Sequence, residues 1–404
     1  IQYTWKTMKL FEKWAWGCLS AFLFFSCGGK QEVEHTGAAE QKIVVDLSKA
    51  GKSYDLKNEL DPSGVVIVPL ETHRECLIGR IERIFVRKDR IFIYDSQSKS
   101  VYFFDMEGRC TGKLHAYGVG PEEYASMTDA FVDEENIYVA DSYRKQVQVY
   151  DLSGEYVKTI KTPDWSFYGI FTTESRIYYV NMGATHPVAG NYLLFSTDKD
   201  GGDFQKYLPF DPSIQSSLLF HLPYAYVSDG RTGFLNDNVK DVLYTVDDSG
   251  ISPRYQLDFC GKKLPAEYFD QPASYILKNG LKNKYILFPE YISHAEDYLF
   301  FCVQLGVKSY TVIYDVGEQT TVAAEKISAF PFENISLKFS QGDRIVHVRD
   351  AYSLLASRSF LLEQFSKYPE ALEASVVRRY EEVLSTVKEE DNPVLFLFRL
   401  KGKE

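Results

Sequence analysis

From Ile43 onward the apolar positions of this chain alternate with polar ones or gather in runs of four to seven, rich in Val, Ile, Tyr and Phe and broken by Asp, Gly, Ser and Asn. That pattern predicts short strands joined by tight turns. The clearest set reads 83–87, 91–94, 101–104 and 112–115, and the next reads 130–132, 137–140, 147–150 and 156–160. The two sets echo each other. Ile91-Phe92-Ile93-Tyr94-Asp95-Ser96 returns as Ile137-Tyr138-Val139-Ala140-Asp141-Ser142, and Asp105-Met106-Glu107-Gly108 as Asp151-Leu152-Ser153-Gly154, each 46 positions downstream. A constant offset of about 40 to 50 residues over four strands is what a β-propeller blade leaves in a sequence. The repeated Asp-x-x-Gly fits a β-turn whose Asp bonds nearby backbone N–H groups.

Fainter copies follow: 177–180 with 192–196, 232–235 with 242–246, 298–303 with 311–315, and a sixth near 336–339 and 344–348. The expected fold is therefore all-β, a six-bladed β-propeller, with an insertion over 268–289 between the fourth and fifth blades. The C-terminal stretch changes period. Val376, Tyr380, Val383, Leu384 and Val387 recur at helical spacing, so 351–388 reads as mostly helical with one amphipathic stripe, the helical insertion extending to about residue 390. Asp391-Asn392-Pro393 ends it and 394–400 returns to strand character. This last strand is expected to close the ring within the sixth blade, with 43–47 or 65–70 contributing from the other terminus. Closure removes free sheet edges, which otherwise invite aggregation.

The first residues read as an export signal: Lys9 and Lys13 precede an apolar run from Trp14 to Phe25, shorter than the about 20 residues a spanning helix needs. Met8 offers a conventional start, with Ile1 to Thr7 upstream of it. The run ends at Phe24-Phe25-Ser26-Cys27-Gly28, which resembles the lipobox of a bacterial lipoprotein and implies cleavage before Cys27 and lipidation of its thiol. The chain thus divides into a signal peptide over 1–27, a polar tether over 28–42 and the propeller over 43–404. Glu32 and Glu34 in the tether resemble surface-export signals, so the membrane face can be periplasmic or external.

Charge narrows the partners. The formal net charge is −11, and loss of Lys6, Lys9, Lys13 and Glu12 with the leader makes it −13, which excludes nucleic acid as a partner. Beyond Cys18 and Cys27, the cysteines Cys76, Cys110, Cys260 and Cys302 show no CxxC pair and no regular spacing, so no zinc site or disulfide framework is indicated. One bridge is compatible with export, but buried thiols in strands are the expectation.

Gly118-Val119-Gly120-Pro121-Glu122-Glu123-Tyr124, between two blades, resembles the G-x-G-P-x-E-Y signature of the six-bladed β-propeller lipoproteins of Bacteroidetes. With the lipobox, the echo and the Asp391-Asn392-Pro393-Val394 ending, the resemblance covers essentially the whole mature chain. It implies a TolB-like or NHL-like propeller anchored by lipid to the cell envelope, at the outer membrane, and carries over no catalytic residue. Glu122 stands where Gly is frequent in the family, and an irregular excursion over 181–191 interrupts the third blade.

Candidate chemistry is sparse. The Gly118–Tyr124 loop lacks the third glycine and the βαβ setting of a nucleotide cradle and reads as an inter-blade turn, with Glu123 and Tyr124 as ligand-facing candidates. Asp95 and Asp141 end equivalent strands; they are either carboxylates around a channel mouth or, in the plainer reading, caps of the turns that follow. Asp198-Lys199-Asp200-Gly201-Gly202-Asp203 has the carboxylate density of a calcium loop, but position twelve is Pro209 rather than Glu, so a hairpin is favoured and no cofactor is expected. The seven histidines form no HxH or HExxH, and no G-x-S-x-G elbow occurs. The expected function is a binding or interaction module for a protein, glycan or small molecule. The alternative is a propeller lactonase, lyase or hydrolase with a channel-mouth site, with or without a metal.

Overall fold

In the computed structural model, residues 37–162, 167–181, 184–187, 189–215, 226–227 and 233–402 are described. The signal peptide, Cys27 and most of the tether lie outside the described residues. Six antiparallel sheets follow one another along the chain. The first blade is Ile81–Arg87, Arg90–Asp95, Ser100–Asp105 and Cys110–Leu114, and the second is Asp129–Val132, Asn136–Asp141, Gln146–Asp151 and Tyr156–Lys161. The third comprises Gly169–Thr172, Arg176–Val180, Tyr192–Asp198 and Gln205–Pro209, and the fourth Tyr226–Val227, Gly233–Asp237, Val242–Asp247 and Gly250–Asp258. The fifth is Pro289–Ala295, Tyr298–Leu305, Lys308–Asp315 and Thr320–Ala324. The sixth sets Phe339–Gln341, Arg344–Arg349 and Val394–Leu400 beside Leu60–Pro69. The first strands of successive blades meet around a common centre.

The long apolar runs are explained by burial on both faces of each blade. In Arg90–Asp95, Ile91 and Ile93 pack toward the sixth blade with Leu395 and Leu397, while Phe92 and Tyr94 pack toward the second with Phe131 and Tyr138. In Val394–Leu400, Phe396 and Phe398 face the fifth blade and the helices, and Leu395 and Leu397 the first blade. Successive side chains of a strand point to opposite faces, so a blade sandwiched between neighbours needs apolar residues at nearly every position.

The predicted turns form as drawn. Asp105 Oδ1 accepts from the N–H groups of Glu107 and Arg109, Asp151 Oδ1 from Ser153 and Glu155, and Asp198 Oδ1 from Asp200 and Gly202. Gly108, Gly154 and Gly201 then turn the chain at φ of +89°, +91° and +87°. The stretch with calcium-loop composition is thus the hairpin of the third blade, and Asp200 and Asp203 pair with Lys158 and Arg176. The excursion after Val180 joins the second and third strands of the same blade.

Ring closure uses both ends of the chain. Val394–Leu400 lies between Arg344–Arg349 and Leu60–Pro69, with Phe396 opposite Ile67. Of the two N-terminal candidates, 65–70 is thus the closing partner, and 43–47 is not: Gln41–Val44 adds a parallel fifth strand to the fourth blade, Ile43 opposite Leu257. This strand begins two residues inside the stretch read as tether. Asn392 latches the closure. Its side chain accepts from Ile78 N–H and donates to the carbonyls of Glu71 and Cys76, while its own N–H donates to Thr72.

The expectation of buried thiols is corrected for one pair: Cys76 and Cys110 form a disulfide that ties the segment entering the first blade to that blade's outermost strand. No local spacing announces it, because the two residues meet only through blade packing. Cys302 is half-buried and Cys260 exposed. The helical insertion is three helices, Ala351–Ala356, Arg358–Lys367 and Ala374–Thr386. They bury Leu354, Leu361, Phe365, Val376, Tyr380, Val383 and Leu384 against Phe332, Phe396 and Phe398. The insertion ahead of the fifth blade contains Ala266–Tyr268 and the helix Ala273–Lys282. Among the described residues no helix is long and apolar enough to cross a membrane.

Candidate functional site

Asp95 and Asp141 are fully buried and occupied by their own blades. Asp95 accepts from the N–H groups of Gly79, Arg80 and Gln97. Asp141, 46 residues on, accepts from Ala125 N–H, Ser126 Oγ and Arg144 N–H. Each carboxylate caps the following turn and also ties down the segment that enters its blade. The neighbouring serines repeat the logic: Ser96 donates to Glu82, and Ser142 shares a hydrogen bond with Thr128.

The Gly118–Tyr124 loop is stapled to itself. Glu123 accepts from Gly120 N–H at 2.7 Å, and a Cβ at Gly118 would lie 2.0 Å from the same carboxylate oxygen, so a larger residue there would displace the Glu123 side chain. Tyr124 is completely buried; its hydroxyl donates to Lys99 O at 2.8 Å and accepts from Ala116 N–H at 3.1 Å. Arg144 and Gln148 of the second blade hold the carbonyls of Gly120, Pro121 and Glu123. Glu123, Tyr124 and Asp141 thus meet at one inter-blade loop, Asp95 lies a blade away, and none of the four lines the cavity at the centre of the ring.

That cavity, of about 490 Å³, lies on the propeller axis. The innermost strands all run the same way, so their first residues gather at one end of the axis, the end that also carries both insertions. Arg80, Glu82, Arg83, Ser96, Lys99, Thr128, Asp129, Tyr168, Tyr291 and Lys338 contribute the polar lining, and Phe85, Tyr94, Phe131 and Phe339 the aromatic walls. The volume is in the range that encloses a small organic ligand. Four cationic side chains against two carboxylates give the lining a net charge of +2, opposite in sign to the chain.

At the centre, Arg83 of the first blade pairs with Asp129 of the second at 2.7 Å. Asp129 also accepts from the N–H groups of Ala130 and Ile170, while Arg83 donates to Ile170 O. Three blades are thereby cross-linked around one carboxylate. Burial raises the Asp129 carboxyl to about 6 against the opposing pull of Arg83. Beside the mouth, Arg80 pairs with Glu82 at 2.8 Å. Lys338 Nζ lies 5.2 Å from the centre of the Tyr291 ring and 4.9 Å from that of Phe339. Burial lowers its pKa. Below, Arg87 and Gln341 hydrogen-bond across the sixth and first blades.

Arg83 and Asp129 escape a sequence reading centred on turns, although a signal exists. They stand 46 positions apart, the repeat length itself, so opposite charges occupy one blade position on two adjacent inner strands. Among the described residues, His73, Cys76 and Cys110 are the metal-ligand types that converge, and the disulfide leaves two of them without a thiolate.

The profile of the family described as "Domain of unknown function (DUF4934)" matches residues 42–399. A solved structure from Bacteroides fragilis, named an exported protein, superposes with a TM-score of 0.63 at 19% identity, covering 87% of this chain and 99% of that one. A duf4221 family member from Bacteroides vulgatus gives a TM-score of 0.43 at 11% identity over 86% of this chain and 100% of that one. A catalytically inactive virginiamycin B lyase from Staphylococcus aureus gives 0.38 at 14% identity, over 67% and 76% respectively. Of these, the first shows a shared fold, and the other two carry no argument. No curated protein matches the sequence.

Proposed function

We propose, for this chain, which belongs to the DUF4934 family, that its six-bladed propeller is a ligand-binding module of the bacterial cell envelope, anchored by lipid on Cys27 at the outer membrane. The observation that carries the binding role is the axial cavity: about 490 Å³, walled by aromatic side chains and cationic inside an acidic protein. The lipobox, the disulfide and the exported name of a protein of the same fold support export. Calorimetry of the mature protein against glycan and metabolite sets is expected to yield a saturable ligand without turnover; formation of product from that ligand would reject the binding role. Labelling of cells with an alkyne fatty acid is expected to mark the wild type and not Cys27→Ser, and equal labelling would reject the anchor.

A second reading, a propeller enzyme of lactonase, lyase or hydrolase type, draws on one observation. Asp129, titrating near 6 inside the cavity, has the pKa of a general acid or base at neutral pH. It requires turnover that Asp129→Asn abolishes and, in its metal-dependent form, a stoichiometric metal ion in the purified protein.

A further inference from the structure

Resting on the cavity as the binding site, we infer that its ligand is a small ring-bearing carboxylic acid, with Lys338 the partner of the carboxylate and the aromatic walls the partner of the ring.

The inference begins from an unequal arrangement of charge. Arg83 is engaged by Asp129 and Ile170 O, and Arg80 by Glu82. Lys338 forms no ion pair or side-chain hydrogen bond among the described residues: Glu82 acts on it through its charge alone while bonded to Arg80, and its ammonium rests over the rings of Tyr291 and Phe339. Ring faces attract a cation but restore only part of the hydration it loses on burial. A carboxylate at that point supplies the missing counter-charge in a setting where water is partly excluded and a charged hydrogen bond is strong. The cavity keeps its net charge of +2 inside a chain of −11, so the lining favours an anion.

The rest of the wall specifies what the carboxylate is attached to. Phe85, Tyr94, Phe131 and Tyr168 come from three different blades and present aromatic surface to one space. Flat faces of that kind suit a planar or chair-shaped ring, aromatic or saccharide. Glu82 and Asp129 are already paired with Arg80 and Arg83, so beside the Tyr291 and Phe339 rings the cation left to match is Lys338, and one ammonium is balanced by one carboxylate.

Titration calorimetry on the mature wild-type protein tests this with matched pairs: benzoate against benzamide, cyclohexanecarboxylate against its amide, and glucuronate against glucose, with phenyl phosphate as the dianion. At least one acid is expected to bind at least tenfold more tightly than its neutral partner and more tightly than phenyl phosphate. Lys338→Met should remove that tenfold preference and Lys338→Arg should keep it, with unchanged thermal unfolding showing that both fold. Asp129→Asn should tighten the acids severalfold and leave the amides alone. Equal binding of acid and amide, or preference for the phosphate, would overturn the carboxylate assignment while leaving a binding cavity in place. Acid binding that survives Lys338→Met would remove Lys338 from it. If none of these acids binds, the inference fails, and the wider glycan and metabolite sets decide separately whether the cavity is a binding site.

Discussion

His347 shows how burial alone sets a residue's behaviour. It sits in the second strand of the sixth blade, against Phe332 and Phe396, and accepts from Ser336 N–H through Nδ1. Burial, helped by the charge of Arg349, lowers its pKa to about 3. An unfolded histidine titrates near 6.5. Between those values the unfolded chain takes up a proton that the folded chain refuses, so stability present above pH 6.5 is lost as pH falls toward 3. At about 1.4 kcal/mol per unit, the wild type should lose about 2 kcal/mol more than His347→Gln between pH 6.5 and 4.5 in denaturant titrations. Identical pH profiles for the two proteins would show that this ring is free to ionise in the fold. Asp129 runs the other way: its raised carboxyl stabilises the fold on acidification through pH 6, so the comparison must be between variant and wild type at each pH.

Among elements, the joint between the chain ends carries the sharpest expectations. Asn392 satisfies one N–H and two carbonyls of the 71–78 segment. Asn392→Ala would leave them buried without partners, a loss of about 2–4 kcal/mol given about 1–3 for each group and partial rescue by water. A midpoint shift in urea worth less than 1 kcal/mol would mean that water replaces the amide fully. The Cys76–Cys110 bridge closes a loop between residues 34 apart, for which loop entropy gives about 3–4 kcal/mol. Cys110→Ser should therefore lower the urea midpoint and raise the slope, because the unfolded chain without the cross-link exposes more surface, and dithiothreitol should reproduce the effect in the wild type while leaving Cys110→Ser unaffected.

For the whole molecule, closure decides whether six blades make one protein. Removing Val394–Leu400 would expose the edges of both Arg344–Arg349 and Leu60–Pro69, and open edges pair with other chains. The truncated chain is expected to elute as aggregate in size exclusion, where the full chain gives one discrete peak; a discrete, folded species from the truncated chain would mean that the ring tolerates an open sixth blade. The cavity is likewise a property of the whole, since its lining comes from the innermost strands of several blades and no single blade encloses it.

Much of this was already present in the order of residues. The period-two runs, the Asp-x-x-Gly turns at a fixed offset and the stripe from Val376 to Val387 set strand, turn and helix locally, because each depends on neighbours within a few positions. Asp95 and Asp141 were likewise legible as turn caps, their partners being at most a blade's length away. The parallel seat of Gln41–Val44, the bridge between Cys76 and Cys110, the latch at Asn392 and the pairing of Arg83 with Asp129 belong to the tertiary structure. Apart from Arg83 and Asp129, which stand one repeat apart, these contacts join residues whose separation obeys no rule of the sequence until the blades pack around an axis. A sequence determines which strands a chain makes, while the field and walls of an axial cavity exist only once the ring has closed.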